Sequence, residues 1–525
     1  MANPIQKLQY GSDARRSLLK GINTVADAVI ATLGPRGHNV SIERPARNYV
    51  PLVVHDGVTV ANSINLKDPF ENMGAQMLKE AAGATNDKAG DGTTTASVLT
   101  QALANEAFKV TEAGANAMVL KRDIEQALIS VLEELSKLKK NISTDEEIEQ
   151  VATISASDAT IGKLVAEALA KVGKDGVVTV EEAEGFETYV DYKQGMEIDR
   201  GYLSPYFVTN QDTVEAVIEQ PYILLTDKKI NYAYQIVPFL EKFVKAGYKN
   251  LLIVAGEIVE EGLATLVVNK LRGAVNVVAI QAPAFGGRRI EELVDLGILT
   301  GGTPLLEESG RELETFDLSE LGRAGKIIAD RDKTIITDGK GSKEEIEKRI
   351  AHLREQIKLA NTPYDKQIKE QRLAKLVGGV AVINVGGMTE PELKEKKERV
   401  IDAKNATKAA IAEGIVAGGG ITLLSIAKSI KVDTLGGKIL IEALKQPFKR
   451  LIENSGMDYA EVREQMAGKK YPFGVDVVDG QVKDLIKAGV IDPAKVTRTA
   501  LEKAVSVANM VLTTNVNIVD EREEK

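Results

Sequence analysis

The chain contains no cysteine. That excludes disulfides, zinc–thiolate sites, iron–sulfur clusters and thiol catalysis. It also has no tryptophan, and its 13 tyrosines and 10 phenylalanines are few for the stacking platforms that hold single-stranded nucleic acid. The three histidines, His38, His55 and His352, are far apart and form no HExxH, which argues against a histidine-built metal site. Positive charge is in deficit: 67 Lys and Arg face 76 Asp and Glu, a formal net charge of −9 at pH 7. A nucleic-acid binder usually shows the opposite, a basic domain or stripe, so no nucleic-acid partner is expected. Long apolar runs are missing too. The longest uncharged stretches, such as residues 504–519, are too short or too rich in Thr, Asn and Ser to span a bilayer. The N-terminal residues show no apolar segment after a basic start. The expectation is a soluble, cytoplasmic protein with no membrane partner. No GxxxxGK[ST], GxGxxG or GxSxG occurs, so Walker-type phosphate binding, Rossmann dinucleotide binding and the commonest serine-hydrolase elbow lack support.

What is present is ample material for several domains; 525 residues suggest about three. Leu18, Ile22, Val25, Val29 and Leu33 recur at helical spacing, and Gly34-Pro35 ends that helix. A short strand near residues 39–43 and helices near 71–84, 94–109 and 120–139 follow. Residues 175–181 alternate like a strand after a turn. From about 195 to 379, short apolar runs at 223–226, 251–255, 275–281 and 327–329 alternate with amphipathic segments, the pattern of an α/β layer. Residues 342–376 read as two charged helices separated at Thr362-Pro363, their charges on a solvated face. Helical pattern returns from 390 to 429, broken at Gly418-Gly419-Gly420, and continues to a closing strand near 516–519. The two ends resemble each other and the middle differs, as an inserted domain would produce. Gly378-Gly379 and Gly386-Gly387 are candidate hinges.

Several segments could carry chemistry. Gly90-Asp91-Gly92-Thr93-Thr94-Thr95 leads directly into a helix, whose free N-terminal amides suit phosphate, while Asp91 suits Mg²⁺. A capped helix after a tight turn would look the same. Thr32-Leu33-Gly34-Pro35 is a second helix-terminal turn. Asp56-Gly57-Val58-Thr59-Val60 reads as a turn leading into a strand, mostly hairpin chemistry. Ala417-Gly418-Gly419-Gly420 marks a helix start that admits a nucleotide or close helix packing. Asp402 taken alone is an ordinary helix carboxylate.

Taken together these segments resemble the group I chaperonins of the GroEL type. Thr32-Leu33-Gly34-Pro35-Arg36-Gly37, Asp91-Gly92-Thr93-Thr94-Thr95 and Gly418-Gly419-Gly420 stand in that family's order. The resemblance also covers Phe70 to Met77, Arg200 to Phe207, Ala264 to Asn269, Leu299 to Thr303 and Ile491 to Arg498, and so spans nearly the whole chain. It implies a multidomain, mainly α fold with α/β parts. A helical equatorial ATPase domain would comprise residues 1–137 and 413–525, a small α/β intermediate domain 138–193 and 381–412, and an inserted α/β apical domain 194–380. It further implies heptameric rings, two of them stacked, a small GroES-type co-chaperonin lid, unfolded polypeptide clients, and ATP turnover with Mg²⁺ and K⁺.

By position, the resemblance places Thr32, Leu33, Gly34, Pro35, Asp91, Gly92, Thr93, Thr94 and Thr95 around the phosphates, with Asp91 on Mg²⁺ and Gly57 and His55 close by. Gly419, Asp476, Val477, Val478 and Asp492 fall on the nucleoside side. Asp402 corresponds to the carboxylate that orients the attacking water, and Asp56 to a second carboxylate near the γ-phosphate. Tyr202, Tyr206, Phe207, Val237, Leu240, Leu263, Val267 and Val268 correspond to an exposed apolar client surface. Three places depart from the family's pattern. His55 stands where lysine is usual, beside the backbone that meets the monovalent cation. Asp476-Val477-Val478 replaces Asn-Ala-Ala in the base-contacting segment. The chain ends Asp520-Glu521-Arg522-Glu523-Glu524-Lys525 rather than in a Gly/Met-rich tail. Two other readings stand beside a folding chamber: a ring-forming scaffold or holdase that has lost ATP turnover, and a small-molecule phosphotransferase using the same loops.

Overall fold

Two glycines decide how the first long helices meet. A Cβ on Gly21 would lie 1.8 Å from the carbonyl oxygen of Glu71, and one on Gly74 would lie 1.9 Å from that of Leu18. The helices Gly11–Ile30 and Pro69–Ala89 therefore cross with their backbones in contact, a fit that only residues without a Cβ permit. Around this crossing Leu18, Ile22, Val25 and Val29 form the buried stripe that their spacing predicts. The computed structural model describes residues 6–43, 51–142, 144–173, 176–183, 185–211, 213–360 and 362–520. The turn expected at Asp175 and the charged end at 521–525 lie outside these.

The chain divides into two compact units. The first comprises residues 1–167, 182–188 and 385–525. It is a helical body in which Thr93–Glu112, Ala117–Leu138 and Ala494–Thr513 join the first two helices over a core that includes Leu99, Leu103, Ile124, Val131, Leu501 and Val505. The chain ends meet here: Gln6–Tyr10 pairs antiparallel with Val516–Asp520, Leu8 opposite Ile518. The helix Glu390–Glu413 also belongs to this unit and packs on Asp145–Ala156.

The second unit comprises residues 168–181 and 189–384. Its central sheet runs in the order Asn276–Gln281, Asn250–Ala255, Tyr222–Leu225, Gly322–Arg323, with the first three strands parallel. Leu251 to Ala255 are all fully buried, as a central parallel strand requires. The helices Ala233–Lys245, Glu260–Leu271 and Gly287–Thr300 alternate with these strands. A second, antiparallel sheet holds Gly195–Ile198, Thr334–Thr337, Lys326–Ala329 and Ala216–Glu219. Among the described residues, no helix is long and apolar enough to cross a membrane.

The multidomain, mainly helical architecture with α/β layers is as expected from the sequence, and three local readings differ. Asp56 to Val60 is not a hairpin turn into a strand: Asp56 caps the helix Gly57–Ser63. Within the helical stretch after 390, Ile415–Ala417 is a strand paired with Ile491–Pro493. The charged pair Lys343–Lys358 and Pro363–Gly378 is not wholly solvated. Arg349 and Arg372 each donate from Nε to Asp295 at 2.7 Å, Arg372 also pairs with Glu291, and Asp295 and Arg372 are only 2% and 4% exposed. Removing one partner of such a group strands a buried charge. Asp295→Ala is therefore expected to destabilise the second unit by about 3–5 kcal/mol. Chemical denaturation of wild type and variant measures this; a loss below about 1 kcal/mol would show that the network contributes little.

Candidate functional site

Three glycine-bearing turns of the first unit surround one cavity. The first follows Gly11–Ile30. Thr32 is buried with its hydroxyl donating to Val29 O at 2.8 Å, and Asn454 Nδ2 donates to Ile30 O and Leu33 O at 2.8 and 3.2 Å, which fixes the turn. Gly34 has φ +87°, and a Cβ there would meet Leu451 Cδ1 at 2.1 Å. The second turn joins two long helices. Gly90 and Gly92 sit at φ +69° and +88°, and a Cβ on Gly92 would lie 2.5 Å from Val496 Cγ1. This tight reversal leaves Asp91 at the start of Thr93–Glu112, whose first turn has no side-chain cap. Ala96 is the first residue whose N–H reaches back, to Gly92 O at 2.9 Å, so the amides of Thr93, Thr94 and Thr95 have no helical acceptor. The third turn is Gly418-Gly419-Gly420 before Ile421–Ser429, set against Asp492 on the strand Ile491–Pro493.

The cavity, open to one side, has a volume of about 960 Å³. Of the residues named from the sequence, Leu33, Gly34, Pro35, Asp91, Gly92, Thr95, Gly419, Asp476, Val477, Val478 and Asp492 line it. Asp476 is held by Lys483 at 2.7 Å and accepts from the Val478 amide at 3.0 Å. Thr32, His55, Asp56, Gly57, Thr93, Thr94 and Asp402 are not in the lining. Gly57 nevertheless packs on the start of Thr93–Glu112: a Cβ there would lie 2.7 and 2.9 Å from the hydroxyls of Thr94 and Thr93. Gln150, Thr153, Ser157 and Asp158 form a wall that the sequence reading did not name. They are ordinary helix and helix-end residues with no local signature.

The electrostatics tie Asp56 and Asp402 to Asp91. Asp91 Oδ1 accepts from the Gly92 amide at 2.5 Å and Oδ2 from Ser155 at 3.3 Å, yet burial still raises its pKa, with a further push from Asp56. Burial lifts Asp402 well above the usual carboxylate range, reinforced by the charges of Asp91, Asp56 and Glu398. Asp492 is pushed up to about 7 by burial and then by Asp91. His55, whose Nδ1 lies 3.3 Å from Asn39 Oδ1, is pushed down by burial and by Arg399. The raised pKa values of Asp91, Asp402 and Asp492 mark a place short of positive charge. A divalent cation fits that deficit, with Asp91 a carboxylate of the lining at the start of Thr93–Glu112. Among the described residues, no three His, Asp or Glu side chains are grouped to hold a metal by themselves.

A sequence model of the TCP-1/cpn60 chaperonin family matches residues 25–522. The chain belongs to this chaperonin family. That agrees with the GroEL-type resemblance of the short segments, and the fold is GroEL-like. Two crystal forms of the chaperonin gp146 of bacteriophage EL 2 (Pseudomonas aeruginosa), both in the presence of ATP-BeFx, are similar structures. Form II aligns at a TM-score of 0.71 and form I at 0.62. In each the identity is 22%, over 98% of this chain and 99% of the other. This chaperonin thus shares its fold along its length with a distant relative.

The apolar client surface expected on the second unit is only partly exposed. Tyr206 and Val268 are 64% and 42% exposed, while Tyr202, Val237, Leu263 and Val267 are half-buried. Phe207 and Leu240, at 0% and 5%, are core residues and present no surface, because the turn Pro205–Phe207 points Phe207 inward and Leu240 lies on the buried stripe of Ala233–Lys245. Tyr232, Tyr234 and Leu271, not named from the sequence, are exposed on or beside the same helices.

Proposed function

We propose that this chaperonin is an ATPase that captures non-native polypeptides on apolar side chains of its second unit and encloses them in a ring cavity for folding. The observation that carries the reading is Asp91, set at an uncapped helix N-terminus in a glycine-walled cavity with Asp56 and Asp402 in electrostatic reach. The amides of Thr93 to Thr95 and the Gly34 turn would bind phosphates, and Leu33, Val477 and Val478 would flank the nucleoside with Gly419, Asp476 and Asp492. Asp91 would hold Mg²⁺, and the backbone at His55 would face K⁺. Bound Mg²⁺ supplies the positive charge that offsets the phosphates. Asp402, assisted by Asp56, would orient the attacking water and take its proton. The assembly that goes with this reading is two stacked heptameric rings with a GroES-type lid, in the cytoplasm. Each subunit would divide into equatorial (1–137, 413–525), intermediate (138–193, 381–412) and apical (194–380) domains. ATP hydrolysis by the purified chain, with electron microscopy for rings, tests it; a scaffold or holdase would show rings without turnover.

The client face has its own test. Val268→Asp or Tyr206→Asp would force a carboxylate against an apolar segment, a cost of about 1–3 kcal/mol. Capture of a chemically denatured model protein should weaken about 10-fold, equivalent to about 1.4 kcal/mol, with ATP hydrolysis retained. Unchanged capture by both variants would remove these side chains from the client surface.

A further inference from the structure

The strand Asn276–Gln281 forms one edge of the central sheet of the second unit, and the segment that carries Tyr206 runs beside it. At first this segment pairs like a strand: Tyr202 forms an antiparallel bridge to Ile280, and the Leu203 amide donates to Ala279 O at 2.9 Å. Then the ladder stops. Pro205 has no N–H to give, and the amides of Phe207 and Val208 turn back to Ser204 O and Pro205 O at 3.0 and 3.1 Å. A side chain from a third element joins turn and strand instead. Lys270, in the last turn of Glu260–Leu271, donates from Nζ to Phe207 O at 2.7 Å and to Val277 O at 3.3 Å, with Asn276 Oδ1 at 3.4 Å. An ammonium has three N–H groups, and these three oxygens take them. The Phe207 ring centre lies 5.9 Å from the same nitrogen. Lys326 and Lys375 of this unit pair with carboxylates; among the described residues Lys270 has no carboxylate partner. Its charge is spent wholly on backbone and amide oxygens.

We propose that Lys270 is a positioning residue for client capture: its ammonium pins the turn Pro205–Phe207 to the edge strand and so holds Tyr206 in place beside the helix that carries Val268. This rests on the client surface proposed above. Tyr206 is 64% exposed while Phe207 is wholly buried, and both follow from the path of the turn. A side chain that is already held loses less freedom when a partner docks on it. Without the ammonium, Phe207 O and Val277 O share no donor, so the turn separates from the strand or admits water. Burial brings the Lys270 ammonium down to about 8, so the pin weakens above neutral pH. The groups around it leave that to burial. The turn offers Tyr206 as its one titratable side chain, and the strand offers none. On its own helix Glu260 and Glu261 stand at the opposite end. On Ala233–Lys245, which packs against that helix, Lys242 donates to Phe316 O, Glu241 lies 3.9 Å from Lys245, and Tyr234 is exposed.

Three readouts on the full-length protein test this. The first is capture of a chemically denatured model protein at neutral pH. Lys270→Met should weaken it about 10-fold, the equivalent of one charged hydrogen bond. Lys270→Arg, which keeps the charge and the donors, should restore most of it, and the control Lys245→Met, at an exposed helix end, should leave it unchanged. The second watches the turn itself and needs no client. The chain has no tryptophan, so Tyr206→Trp supplies a single fluorophore. Adding Lys270→Met should lower its anisotropy and make it easier to quench with acrylamide. The third requires no substitution that could impair folding. Capture by wild type should decline as pH rises from about 7 to about 9, and capture by Lys270→Arg should stay level. If wild type captures no denatured protein, the client reading fails and the capture role of Lys270 falls with it, while the fluorescence still reports the pin. If wild type captures and folded Lys270→Met captures equally well, the positioning role is overturned. If capture falls but the fluorescence at position 206 is unchanged, Lys270 does not act through the turn, and the proposal fails. If Lys270→Met does not fold, a level wild-type pH profile overturns the proposal on its own.

Discussion

Asp402→Ala should bind Mg-ATP but hydrolyse it at least about 10-fold more slowly than wild type. The loss of a positioned acid–base group typically costs about 10²–10⁴ in rate, so that bound is a cautious one. Phosphoryl transfer to water asks little of the protein beyond in-line geometry, offset charge and a group that orients the nucleophile. Asp402 suits the last task because it is absent from the cavity lining yet close enough for its ionisation to respond to Asp91 and Asp56. Removing it leaves the glycine turns and the free amides of residues 93–95 untouched, so nucleotide affinity should hold. Single-turnover hydrolysis at saturating Mg-ATP, with affinity measured in parallel, separates the two effects. Hydrolysis near the wild-type rate would remove Asp402 from the mechanism.

Asp91→Ala should fail one step earlier. Asp91 lines the cavity at the helix terminus where phosphates would sit, and it is the carboxylate placed to hold their metal. Outer-shell partners of a metal alone are worth about 10–100-fold in affinity, so loss of a direct ligand should weaken Mg-ATP binding by roughly 100-fold or more. The substitution also removes a half-buried acid whose pKa is raised, first by desolvation, so the variant without nucleotide should be no less stable than wild type near neutral pH. Equilibrium nucleotide binding and denaturant unfolding check the two parts. Unaltered Mg-ATP affinity would place the metal elsewhere.

The parts of the fold legible in the sequence were those fixed by local periodicity. The buried stripe from Leu18 to Val29 and the apolar run at 251–255 carry their own pattern, and each appears as an element. The parts missed depend on distant partners or on single atoms. Ile415–Ala417 is three residues long and exists because Ile491–Pro493 lies beside it. Asp56 precedes a β-branched alternation that reads as a strand. Its carboxylate accepts from the amides of Val58 and Thr59 at 3.2 and 2.7 Å and so caps a helix. Tyr206 and Phe207 are adjacent aromatics, one exposed and one in the core, and no sequence pattern distinguishes them.

The candidate site divides in the same way. The glycine turns at 34, 92 and 419 were visible because left-handed backbone leaves a mark on composition. The wall built from Gln150, Thr153 and Ser157 was invisible, since these are common residues brought in by packing.

If nucleotide hydrolysis drives folding, refolding should depend on Asp402. The most direct measurement is the refolding yield of a denatured model protein with wild type and with Asp402→Ala, each with ATP, Mg²⁺, K⁺ and a GroES-type lid. Wild type should give repeated rounds and a rising yield, and Asp402→Ala a yield limited to a single round. Equal multi-round yields from the two proteins, or a wild-type yield that is the same without ATP, would contradict that dependence.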